Sequence, residues 1–421
     1  MKILILSTSE RNGGAAIAAN RLMHALNKAG QEAKMLVRDK QTKDERVVSI
    51  NTNWFAKKIN FIRFAWERWV IFVHNRFNKK NLFAVSIANT GTDISKHPLV
   101  QEADILHLHW LNQGFLSLKN IRQLIATGKP VVWTMHDMWA GTGICHYSRD
   151  CMRFTDSCCN CPYLRKSTKN DLSHKMFVKK NTLFLESNIH FVGCSHWIAE
   201  KAKASWNLRH AAISNIPNPI DTTLFRPFGK ATAREKFNLP VDKKLILFAA
   251  AKLSDTRKGM DYFVEACRSL LVEVGNMVEV VLLGGKMAEQ LVLPLKTNPL
   301  GYLKTPSDIV AAYAACDIFV IPSLEDNLPN TVMEAMACGT PCVGFNVGGI
   351  PEMIDHKKNG YVAEYKSASD LAAGILWVLD NVVRLSLSEA CVKKVLTNYA
   401  EAVVAKQYTE LYESMLDTKK D

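Results

Sequence analysis

The stretch KILILSTSERNGGAAIAANRLMHAL, residues 2–26, runs from a β-rich apolar segment through two adjacent glycines, Gly13 and Gly14, into a helix of small residues. The apolar segment reads as a buried first strand, because it is too short for a signal peptide or a membrane span. Adjacent glycines at a helix start leave no Cβ between an incoming group and the backbone N–H donors, which suits a phosphate or a sugar. Strand, glycine turn and helix in that order make the first step of a parallel sheet.

The pattern repeats. AKMLV, DILHLHW, PVVWTMHD and IHFVGCS are further apolar runs separated by helix-like stretches, and IPNPIDTTLFRPFGK, residues 216–230, then interrupts with prolines and turn formers. Beyond it KKLILFAAA, MVEVVLLGG, DIFVIPS and PCVGFNVGG restart the alternation. The expected fold is α/β, with two Rossmann-like doubly wound domains facing a central cleft, at residues 1–225 and 226–399. A helix over 400–421 is expected to pack back on the first domain. In such sheets ligands bind beyond the carboxyl ends of the strands, so functional residues are sought there.

A chain of 421 residues, 48% hydrophobic and 22% charged, fits two soluble domains. Its net charge of +13 favours an anionic partner: nucleic acid, a membrane surface or a phosphorylated substrate. No nucleic-acid module motif is present, so nucleic acid is not expected. Eleven cysteines without a secretion signal point to a reducing cytoplasm.

Two groups of residues follow strands of the second half. Lys252, Arg257 and Lys258 are cations placed to neutralise a diphosphate. In SLEDNLPNTVMEAMACGTP, residues 323–341, Asp326 lies eight positions before Glu334, whereas Glu325 lies nine before it. Carboxylates suit sugar diols because each accepts hydrogen bonds from neighbouring hydroxyls. Acids before a helix also cap it, but Asn327, Asn330 and Thr331 can take that task.

Together, Gly13-Gly14, WTMHD, IPNPIDTTLFRP, DTRKG, DIFVIPS, the acidic pair and CGTPCVGFNVGGIPEMI resemble the retaining GT-B glycosyltransferases of family 4. They occur in the family's order, from residue 3 to about residue 365. The resemblance implies a UDP- or GDP-sugar donor, bound by Gly13, Gly14, Lys252, Arg257, Lys258, Asn327, Leu328, Pro329, Asn330, Thr331 and Glu334. It implies a diphosphate-holding role for Lys258, with Lys252 or Arg257 beside it, and a sugar-supporting role for His136. It implies that Asp326 and Glu334 contact the donor, although the family has Glu at the first position; Asp withdraws the carboxylate by roughly 1.5 Å. Transfer is expected to be retaining and metal-independent, needing no cofactor.

His107 and His109 alternate along a strand and so should point to opposite faces. His109, Trp110 and Asp137 are assigned to the acceptor side. The segment 143–164 concentrates cysteines, and Cys145, Cys151, Cys158 and Cys161 are expected either to hold a structural zinc or to remain free thiols. Residues 53–80 carry seven Lys or Arg, one Glu and many aromatics, with Phe55, Ile59, Ile62, Trp66, Trp69, Val73 and Phe77 at helical spacing. This is either an interfacial helix on an anionic membrane or a helix buried against its own domain. The reading is a glycosyltransferase acting on a glycan or polyprenyl-diphosphate-linked saccharide in cell-surface polysaccharide assembly. Its place would be the cytoplasm, at the inner face of the plasma membrane. The alternative is a non-catalytic basic scaffold with a degenerate GT-B fold that binds membrane or nucleic acid.

Overall fold

The computed structural model describes residues 1–250, 255–284, 293–383 and 385–417; Lys252 lies outside them. The chain forms two compact units, one joining Met1–Pro219 to Val404–Asp421 and the other spanning Ile220–Val403. It leaves the first unit at Pro219 instead of residue 225 and returns at Val404 instead of residue 400.

The first unit carries β1 (Lys2–Ser9), β2 (Glu32–Asp39), β3 (Val47–Ser49), β4 (Ile105–Leu108), β5 (Val131–Met135), β6 (Ile189–Gly193) and β7 (Ala212–Asn215). They form one seven-stranded sheet in the order β3-β2-β1-β4-β5-β6-β7, parallel at every pairing. Successive side chains of a strand face opposite ways, so both faces need cover. Ile3 and Ile5 pack with helix α1 (Gly14–Lys28) and with Val404, Ala405, Tyr408 and Tyr412 of the helix Glu401–Asp417, while Leu4 and Leu6 enter the opposite core. Polar contacts fix the returning helix: Tyr412 Oη lies 2.7 Å from His107 Nδ1, and Tyr408 Oη lies 2.7 Å from Thr134 Oγ1.

The second unit carries β8 (Lys244–Ala250), β9 (Val278–Gly284), β10 (Thr297–Gly301), β11 (Ile318–Ile321), β12 (Cys342–Phe345) and β13 (Gly360–Ala363). The order is β10-β9-β8-β11-β12-β13, again all parallel. In each sheet the strand order reverses direction beside the first strand of the unit, between β1 and β4 and between β8 and β11. Such switch points are where doubly wound sheets bind ligands.

Helix α2 (Trp54–His74) is built the opposite way from a normal surface helix. Its buried residues are Asn60, Glu67, Arg68 and Ile71, and three of those four are polar. Glu67 Oε1 accepts from the backbone N–H groups of Ile87 and Ala88, each at 2.8 Å. Its other oxygen pairs with Arg68 at 3.0 Å, and Arg68 also donates to the carbonyls of Leu82 and Val85. Asn60 donates to Asn51, and Arg63 bonds Asn60 and Thr92. The aromatic face is therefore not buried against the unit. Trp54, Phe55, Phe61, Trp66 and Trp69 are between 51% and 69% exposed. Arg68 points inward, beside Glu67. Among the described residues no helix is long and apolar enough to cross a membrane.

Removing one partner of a buried ion pair leaves the other charge uncompensated, so Glu67→Ala is expected to cost about 3–5 kcal/mol. Trp66→Ser, on the exposed side, is expected to stay within about 0.5 kcal/mol of wild type. Urea unfolding of both variants checks the contrast.

Candidate active site

In the second unit the site is built where two loops meet after β8 and β11. Asp255 caps the single turn Thr256–Lys258 by accepting from Arg257 N–H, and Arg257 returns a two-pronged contact to the same carboxylate at 3.0 and 2.8 Å. Burial pushes Asp255 upward, but Arg257 outweighs it and holds the carboxyl below its ordinary range. Arg257 is thus turned toward Asp255, while Lys258 reaches across the loop and places Nζ 2.7 Å from Asp326 Oδ2. Ser323 Oγ lies 3.3 Å from the same oxygen.

Two glycines permit that approach. Gly259 has φ +68°, and a Cβ on it would stand 1.8 Å from the carbonyl oxygen of Pro322. Gly348 has φ +60°, and a Cβ there would stand 1.7 Å from the carbonyl oxygen of Asp326. Next to it, Gly349 N–H donates to the Asn327 carbonyl at 2.7 Å. Backbone therefore closes on the loop after β11 at Pro322 and at Asp326, and the shorter acid meets Lys258.

Asn327 and Leu328 are buried, and Pro329 is the N-cap of the helix Asn330–Ala337. The cap position itself is taken by Pro329, whose side chain makes no capping hydrogen bond. Glu334 is buried on the helix and accepts from Tyr313 Oη at 3.2 Å.

In the first unit Gly13 has φ +95°, a value that favours glycine, and α1 starts beside it beyond the end of β1 with residues 11–14 exposed. His136 follows β5 directly, and its Nε2 lies 2.8 Å from His109 Nδ1. Asp137 is held by three donors: Trp110 Nε1 at 3.0 Å, Trp139 N–H at 2.9 Å and His146 Nδ1 at 2.7 Å. His146 in turn meets Ser86 Oγ at 3.0 Å.

Two expectations change here. His107 and His109 do not point to opposite faces: two positions apart, they stand on the same side of the extended chain, and the two rings lie 4.3 Å apart. His109 is also buried, so it supports His136 and offers little surface to an acceptor. The residues that sequence reasoning missed, His146, Ser86, Tyr408, Tyr412 and Lys180, lie apart in sequence from the groups they contact, or carry no motif. Lys180 is fully buried, donates to the carbonyls of Trp139 and Thr142, and stands 3.5 Å over the Trp139 ring. Burial lowers its pKa to about 7.

Cys145, Cys158 and Cys161 are buried and unbridged, and Cys151 is half-buried. Among the described residues no three metal-ligating side chains converge closely enough to hold an ion. Cys145 and Cys161 pack with Ile71, Val85 and Ile144, and Cys158 Sγ accepts from Gly143 N–H at 3.2 Å. Burial holds them protonated, pushing Cys158 up to about 12 and Cys161 to about 11.

Comparison with known proteins adds to this geometry. Residues 12–224 match the model of the family described as Glycosyltransferase Family 4, and residues 243–381 match that of Glycosyl transferases group 1. A curated relative from Campylobacter jejuni, N,N'-diacetylbacillosaminyl-diphospho-undecaprenol alpha-1,3-N-acetylgalactosaminyltransferase, is 33% identical over 183 residues, 42% of this chain and 47% of that one. The chain spans about half the length of the curated relatives it matches. Sucrose-phosphate synthase from Thermosynechococcus elongatus superposes with TM-score 0.69 at 18% identity, covering 99% of both chains. Anabaena HepE in complex with UDP-glucose superposes with TM-score 0.61 at 16% identity, over 98% of this chain and 100% of that one. At these identities the likeness concerns the fold, two α/β domains of GT-B type.

Burial holds His136 down to about 4 and His107 to about 3, and it lowers His109 well below 6.5. Unfolding frees these rings to take up protons near pH 6.5. Their depressed folded pKa values thus make stability complete above about pH 6.5 and progressively lost as pH falls toward about 4. The melting temperature is expected to drop steadily from pH 7 to pH 4.5 and to drop less steeply in His107→Gln. A profile flat across that window would contradict the buried, neutral histidines.

Proposed function

Because the chain belongs to Glycosyltransferase Family 4, we propose that it transfers a sugar from a nucleotide-sugar donor to a saccharide carried on a polyprenyl diphosphate, with retention at the anomeric carbon. The observation that carries this reading is the 2.7 Å contact of Lys258 with Asp326, formed between two glycine-dependent loops, with Glu334 eight residues further on. The named activity of the Campylobacter relative on a diphospho-undecaprenol saccharide supports the acceptor class, and the UDP-glucose complex of HepE supports the donor class.

In the proposed reaction the donor diphosphate takes Lys258, and Asp326 is released to accept a sugar hydroxyl. An acceptor oxygen attacks the anomeric carbon on the face the diphosphate leaves. The carbon–oxygen bond to the phosphate breaks, and the acceptor proton passes to the departing phosphate oxygen. Lys258 stabilises the negative charge that develops there, the kind of preorganised contact that lowers such barriers most. Glu334 holds the donor through its hydroxyls. His136 takes the sugar-supporting role that the family resemblance implies; as a neutral ring it can accept or donate one hydrogen bond. His109 positions it. The roles of Asn327, Leu328, Pro329, Asn330 and Thr331 are to shape the donor pocket, and those of Trp110 and Asp137 are to order the loop after His136. Metal-independent chemistry rests on the same resemblance, with Lys258 in the place of a cation.

Lys258→Ala and Glu334→Ala are each expected to lower turnover by at least about 100-fold with circular dichroism unchanged. Purified wild-type protein is expected to gain thermal stability from either UDP- or GDP-linked sugars, and mass spectrometry of extended polyprenyl-linked products would identify the pair. Near wild-type turnover in both variants would remove the assignment.

A further inference from the structure

The face of α2 that looks away from the first unit is unaccounted for by sugar transfer. Trp54, Phe55, Ile59, Phe61, Ile62, Trp66 and Trp69, with Phe77 and Phe83 just beyond the helix, are each at least 49% exposed. Single exposed apolar side chains are ordinary, whereas a concentration of this size marks a surface with a partner. The inward side of the helix is occupied by Glu67, Arg68 and Asn60, all hydrogen-bonded into the unit. Rotating the helix to hide its aromatics would strand those buried polar groups, so the outward aromatics are a fixed property of the fold.

We propose that this face docks on the surface of an anionic lipid bilayer, with α2 lying in the plane of the headgroups. Charge selects that occupant. Lys57, Lys58, Arg76, Lys79 and Lys80 are exposed, and none forms an ion pair among the described residues. The single acid between residues 53 and 80, Glu67, is buried. A positive fringe around an indole-rich centre, with no exposed acid in the segment itself, matches anionic headgroups over acyl chains. A second copy meeting the same face would oppose five cations with five more. A nucleic acid would have to leave the aromatic centre against phosphates. An amphipathic helix with one apolar face lies in the headgroup plane instead of crossing it.

Trp66 and Trp69 stack on each other at 5.2 Å, and Lys58 lies 4.9 Å over the Trp54 ring, so the aromatics present a preformed platform. The inference does not depend on the transferase reading. Its test involves no sugar transfer, so the two stand or fall separately.

The test is co-sedimentation of the full chain with phosphatidylcholine vesicles, with and without ~30% phosphatidylglycerol. Binding to the anionic vesicles is expected to be at least about tenfold tighter, and Trp66→Ser with Trp69→Ser to weaken it at least about tenfold. Lys57→Glu with Lys58→Glu should weaken it as well. Acyl chains brominated near the headgroup should quench wild-type tryptophan fluorescence, a readout that survives if a variant misfolds. Absence of partitioning, or partitioning indifferent to the tryptophan changes, would overturn the proposal. So would a dimer in solution, or an RNA complex, that is lost with Trp66 and Trp69 while vesicles are ignored.

Discussion

A parallel strand covered on both faces can present chemistry only at its ends, and both units are organised around that restriction. The middles of β1, β5, β8 and β11 are fully occupied by core packing. Gly13, His136, Lys258 and Asp326 all belong to the short segments that follow these strands. What remains is to hold those segments still. In the second unit this is done by backbone contact with Gly259 and Gly348, in the first by a hydrogen-bonded set around Asp137 and His109.

The two solutions have different chemical consequences. Around Asp326 the charge is kept and paired, with Lys258 drawn to it at 2.7 Å, so the loops retain a cation and an anion in contact. Around His136 charge is removed: three neighbouring histidines are buried deeply enough to stay neutral, and only Asp137 keeps several donors. One end is poised for ion exchange and the other for directional hydrogen bonding.

Sequence periodicity revealed the strands with two neighbours and missed those with one. β1, β2, β4, β5, β6, β8, β9, β11 and β12 are apolar runs because both faces and both edges are covered. β3, β7, β10 and β13 lie at the sheet edges, where shorter and partly polar strands suffice; β10 even holds Pro299, tolerated at an edge. The same limit applies to the site. The family resemblance implied a pairing of Asp326 with Glu334, but nothing in the sequence showed Tyr412 against His107, a contact spanning 305 positions. Cysteine spacing likewise could not show that Cys145 and Cys161 pack with Ile71, Val85 and Ile144. For α2, periodicity located the aromatic face correctly and could not say which way it turned; the buried Glu67–Arg68 pair decides that.

The helix that carries Tyr408 and Tyr412 belongs to the first unit but is translated after the whole of the second. Until it emerges, β1 and β4 lack part of their cover on one face, and the His107 imidazole lacks the partner of its Nδ1, keeping only Thr134 at Nε2. The second unit, by contrast, is contiguous and can close during synthesis. The order of completion is therefore the reverse of the order of translation for the larger sheet, which must persist with one open side while some 180 residues are added. An incomplete chain would expose that side, which gives proteolytic surveillance a physical means of telling unfinished copies from finished ones.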